Sequence, residues 1–67
     1  MLTLFQLQHL PLNDQAQYVL YNGEFMHTII EGDYVANLYW MGGFYAEIVL
    51  GEAEDEIVEV VFKDTPN

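Results

Sequence analysis

The chain has 67 residues, 52% of them apolar, and eleven Asp and Glu stand against a single basic residue, Lys63, for a formal net charge of −10. Phosphate binding rests on Lys and Arg, so this balance excludes nucleic acid as a partner, and the absence of cysteine excludes disulfides and thiolate metal sites. Serine and arginine are absent as well, which removes the serine nucleophile and the bidentate clamp for phosphate or carboxylate.

A chain of this length makes one domain, 1–67, whose core is only marginally able to offset chain entropy. So high an apolar fraction in so short a chain points to apolar surface left for a second molecule to cover. The opening M-L-T-L-F-Q-L-Q-H-L-P lacks the basic leader and small-residue cleavage site of a secretory signal, and no apolar run approaches the roughly 20 residues that span a bilayer. The expectation is a soluble cytoplasmic protein with no membrane partner. Of the acidic residues only Asp14 lies before Gly23, so the acidity belongs to the rest of the chain.

In chain order, Thr3 and Gln6 have capping-box spacing, and Leu4, Phe5, Leu7 and Leu10 make a short apolar stripe ending before Pro11. This predicts one short helix. Asn13 is positioned to cap a second, with Asp14 in its first turn and Asn22-Gly23 as its stop; Ala16, Val19 and Leu20 share its apolar face. From Glu24 the period changes to two and β-branched and aromatic residues take over. Strands are predicted near 24–30, 34–40, 44–50 and 57–63, joined by the turn-like segments E-G-D, M-G-G and G-E-A-E-D-E, so that neighbours pair as a meander. The fold class is α+β: two short N-terminal helices packed on one face of a four-stranded antiparallel β-meander.

The register of the central hairpin decides which side chains share a face. A two-residue Gly42-Gly43 turn pairs Leu38 with Glu47 and Asn37 with Ile48, mixing polar and apolar on both faces. A three-residue Met41-Gly42-Gly43 loop with Gly43 left-handed pairs Trp40 with Phe44, Leu38 with Ala46 and Ala36 with Ile48, which sorts the faces cleanly and is the expected arrangement. In the first strand a Gly32-Asp33 turn sets Thr28 opposite Asn37, with Phe25 and Ile29 inward and His27 toward the helices. Tyr39 and Tyr45 then lie opposite one another on the face the helices leave open, beside Val35, Glu47 and Val49. A contiguous patch of that kind is an association surface, and these five residues, Val35, Tyr39, Tyr45, Glu47 and Val49, are the candidate interface of a homodimer or of a complex with another protein.

Little in the sequence supports catalysis. His9 and His27 lack metal-ligand spacing and read as structural histidines. The glycines of M-G-G-F lack the Lys-Ser/Thr of a phosphate loop, and G-E-A-E-D-E lacks the residue order of a calcium loop. The expectation is therefore a non-enzymatic chain without metal or cofactor. The function expected is that of a small acidic binding or assembly module, self-associating through the open sheet face. The alternative is an acidic inhibitor, immunity or nucleic-acid-mimic protein whose Glu52, Glu54, Asp55, Glu56 and Glu59 meet a basic partner protein.

The segments D-Q-A-Q-Y-V, G-E-F, N-L-Y and F-Y-A-E-I-V, followed by an acidic hairpin turn and I-V-E-V, resemble a group of small uncharacterised bacterial proteins, from Leu12 to Phe62. The resemblance implies a short helical N-terminus before a four-stranded meander in a stand-alone protein, and no activity or site. The last strand of that group tends to carry basic residues where this chain has Glu59 and Val61.

Overall fold

The computed structural model describes residues 2–52 and 56–66. In chain order it contains α1 (Leu4–Gln8), α2 (Leu12–Asn22), β1 (Glu24–Glu31), β2 (Tyr34–Trp40), β3 (Tyr45–Leu50) and β4 (Ile57–Lys63). The strands form one antiparallel sheet in the order β1-β2-β3-β4. The chain is thus an α+β protein on a meander, and the two edges of its sheet are β1 and β4.

The helix ends show how local chemistry sets the elements. Thr3 Oγ1 accepts from the Gln6 N–H at 3.2 Å while Gln6 Oε1 accepts from the Thr3 N–H at 2.9 Å, the reciprocal capping box its spacing implies. The start of α2 differs from expectation: Pro11, not Asn13, is the N-cap, and Asn13 is already helical. The Pro11 carbonyl accepts from the Gln15 N–H at 3.0 Å, and the ring fixes φ at a value that leads into a helix. At the other end Gly23 is extended, with φ −88°, so it is not there to supply a left-handed turn. A Cβ on Gly23 would stand 2.7 Å from the Val19 carbonyl oxygen and 2.8 Å from Met41 Sδ, so the glycine permits a close approach between helix end and hairpin. The two helices are tied by Gln15 Nε2 donating to the Leu7 carbonyl at 2.9 Å and the Leu2 N–H donating to the Tyr18 hydroxyl at 2.8 Å.

The β2–β3 hairpin corrects the expected register. Trp40 pairs with Tyr45, Leu38 with Glu47, Asn37 with Ile48 and Ala36 with Val49. This is the two-residue Gly42-Gly43 turn, closed by the Met41 N–H donating to the Phe44 carbonyl at 2.8 Å. Gly42 has φ +99°, the positive φ at the first turn position that a type II′ turn requires. Glu47 is accommodated in this register because Lys63 neutralises it where it lies and the Tyr34 hydroxyl donates to its other oxygen. A slip of one residue exchanges the faces of one strand relative to the other. Tyr39 and Tyr45 are therefore separated, and Trp40, Leu38 and Ala36 leave the face that holds Ala46 and Ile48.

Two faces result from the alternation of side chains. The core face holds Tyr39, Met41, Ala46 and Ile48, all buried together with Val19 of α2. Phe44 and Phe62 meet edge to face beside this cluster, with centroids 6.0 Å apart. On the reverse face lie Tyr34, Ala36, Leu38 and Trp40 of β2, and Tyr45, Glu47 and Val49 of β3. In β1, Thr28 does pair with Asn37, and its hydroxyl donates to Asn37 Oδ1 at 2.8 Å. A bulge between Phe25 and His27 then puts Phe25 beside Tyr39 on the core face and His27 beside Leu38 on the reverse face. His27 thus faces away from the side on which Val19 packs, and Phe25 and Ile29 do not share a face, both contrary to expectation.

Candidate functional site

Glu47 is the unusual residue of the reverse face. It is 3% exposed, in a row that otherwise carries His27, Leu38 and Val61. Tyr34 donates its hydroxyl to Glu47 Oε1 at 2.8 Å, and the Lys63 ammonium pairs with Oε2. Oε2 has no hydrogen-bond donor besides that ion pair among the described residues. Tyr34 sits four residues from Leu38 along β2, roughly 13 Å at the rise of a strand, so its side chain and that of Glu47 lean toward each other along the sheet. Lys63 lies opposite Tyr45, one row beyond Glu47 in the other direction. The carboxylate is therefore gripped from both ends of the face, which closes the space above Ala36 and Leu38, both fully buried.

The hydrogen bond to Glu47 is the main reason the Tyr34 hydroxyl has its pKa pushed from 10.0 up to about 12, with burial and the charges of Glu47, Glu59 and Glu31 adding to it. Beside this network the sheet opens into a depression of about 670 Å³ lined by His27, Ile29, Glu31, Tyr34, Glu47, Lys63 and Pro66. Its size is that of a small-molecule pocket. No group of three or more His, Asp or Glu side chains placed to hold a metal ion occurs among the described residues. No helix among them is long and apolar enough to cross a membrane.

The second feature is the edge formed by β1. Seven of its eight residues are exposed, all but the half-buried Ile29. Phe25, Met26 and Ile30 are 55%, 44% and 71% exposed. Phe25 and Ile30 point to the core face at the end of the sheet away from β4, where Phe25 meets Tyr39 edge to face at 5.7 Å. On α2, Leu20 and Tyr21 are exposed as well. An edge strand without proline, flanked by apolar side chains, offers unpaired backbone groups to another strand.

The five residues expected to form an interface do not lie together. Val35 and the buried Tyr39 belong to the core face, and burial raises the pKa of the Tyr39 hydroxyl. Tyr45, Glu47 and Val49 belong to the reverse face, where Tyr45 packs on Trp40 with ring centroids 4.8 Å apart. Of the acidic set, Glu52, Glu56 and Glu59 are exposed, and Glu54 and Asp55 lie outside the described residues. His9 caps α1, with Nδ1 2.7 Å from the Phe5 carbonyl and its ring against Phe5. Sequence reasoning treated the apolar residues of the first strand as face residues and gave no weight to the edge itself. The signal was present in F-M-H-T-I-I, a strand with no proline or lysine and only one neighbour.

The scan against protein-family models finds no match, and neither curated proteins nor solved structures yield a significant one.

Proposed function

We propose that this chain is a small non-catalytic assembly module that self-associates by strand pairing along β1, both helices lying against the core face. The observation that carries this reading is the exposure of Phe25, Met26 and Ile30 along a strand whose outer edge pairs with no other strand among the described residues. The association surface thus moves from the middle of a sheet face to its edge. An antiparallel pair of β1 strands related by a two-fold axis at Thr28 sets Met26 opposite Ile30 of the second copy and keeps Glu24 and Glu31 from facing each other. Pairing centred between His27 and Thr28 sets Glu24 against Glu31 and is disfavoured by like charge. The product is a continuous sheet of two meanders with the apolar residues at its centre. Replacing both Phe25 and Ile30 by Glu tests it: sedimentation should show a lower mass than the parent chain at equal concentration, with the far-ultraviolet spectrum retained. Unchanged mass contradicts the reading.

A second reading, binding of a basic protein through the acidic surface, is favoured by one observation. The only cation is committed to Glu47, so the remaining acidic residues have no internal counter-charge among basic side chains. Salt separates the two readings. It screens the repulsion between two copies of charge −10 and strengthens self-association, whereas it weakens capture of a basic partner.

A further inference from the structure

We propose that the depression beside Glu47 is a binding site for a compact organic cation, a primary ammonium on a short apolar stem. A buried ion pair is weak evidence of stabilisation, because apolar residues of similar volume commonly do as well. In the row His27–Leu38–Glu47–Val61 a valine at 47 would continue the apolar surface of its neighbours, yet the chain holds a carboxylate there and commits its one lysine and the Tyr34 hydroxyl to it. Those three groups come from β2, β3 and β4, and all three line the open depression.

The chemistry of the lining selects the ligand's charge. Glu31 is exposed at the rim next to Tyr34 in the β1–β2 pairing, and its carboxylate accepts hydrogen bonds only. Tyr34 donates its O–H in a hydrogen bond to Glu47, which leaves the lone pairs of its oxygen to accept. The imidazole of His27 offers an acceptor nitrogen in its neutral form. Lys63 is the only positive group in the lining and is neutralised by Glu47, and the whole molecule carries −10, so an anion is repelled and a cation drawn in. Ile29 and Pro66 supply the apolar contact for a short stem. The lining offers an ammonium three acceptors, Glu31, Tyr34 and His27, with Glu47 behind them. The site opens on a sheet face, so the proposal is independent of whether β1 pairs with a second copy.

The test is a two-dimensional NMR titration of the full chain at moderate salt with n-butylamine, with Nα-acetyl-lysine amide as a second probe and sodium acetate as the anionic control. Shifts should be confined to Tyr34, Glu47, His27, Ile29 and their neighbours, and acetate should produce none of them. Glu31→Gln should weaken butylamine roughly tenfold, the scale of one charge-assisted hydrogen bond, and Glu47→Gln should weaken it as well, because it leaves the Lys63 charge in the lining without its counter-ion. Tyr34→Phe, which keeps the ring, should weaken it by a smaller factor and guards against loss of fold at position 47. Tighter binding of the blocked lysine would make a protein side chain the source of the ammonium, and equal or tighter binding of butylamine a free amine. Shifts spread evenly over the acidic surface, equal effects of acetate, or affinities unchanged by all three substitutions would overturn the proposal.

Discussion

Glu47 shows how a single side chain can set both register and chemistry. Its carboxylate tolerates a position opposite Leu38 only because Lys63 and Tyr34 meet its two oxygens. Lys63→Met should therefore destabilise the fold by about 3 kcal/mol, since it leaves a buried charge without its counter-ion. Adding Glu47→Val to that variant should restore most of the loss, and urea unfolding of the parent, the single and the double variant checks both steps. The Tyr34 hydroxyl gives a pH signature. Its folded pKa is raised from 10.0 to about 12, so the stabilising contribution is complete below pH 10.0 and is lost as pH rises toward about 12. Unfolding midpoints measured across that interval should fall less steeply in Tyr34→Phe than in the parent chain.

The hairpin between β2 and β3 makes a discriminating element. With Gly42 at φ +99° and Gly43 outside the left-handed region, Gly42→Ala should cost about 1 kcal/mol and Gly43→Ala distinctly less. The three-residue loop requires the opposite ranking, so thermal unfolding of the two variants reads the register directly. Gly23→Ala should be costlier than either, about 1–3 kcal/mol, because the new Cβ meets the Val19 carbonyl, which cannot turn aside as a side chain can. Element identities were legible because their signals are local: the Thr3–Gln6 box, Pro11, Gly23, and alternation after Glu24. The register was not, because polarity sorting assigns Glu47 to water and has no means of seeing that Lys63, sixteen residues later, arrives beside it. The bulge at Phe25–His27 was equally hidden, since no residue in E-F-M-H-T announces it; it keeps Phe25 beside Tyr39 on the core face, while His27 stays opposite Leu38 and goes with that residue to the reverse face.

For the molecule as a whole, composition foretold unpartnered apolar surface but not where it lies. Part of that surface is on the edge strand β1, where Phe25, Met26 and Ile30 are exposed, and part is on the helices, where Phe5, Leu20 and Tyr21 are exposed. With the lone lysine paired internally, assembly must overcome repulsion between two chains of charge −10, so its salt dependence carries information about the interface. The most direct measurement is the solution mass of the unmodified chain by light scattering, over a wide concentration range at low and at moderate salt. Strand pairing along β1 predicts twice the monomer mass at high concentration, reached at lower concentration when salt is added. A monomer at every concentration and salt level would contradict it.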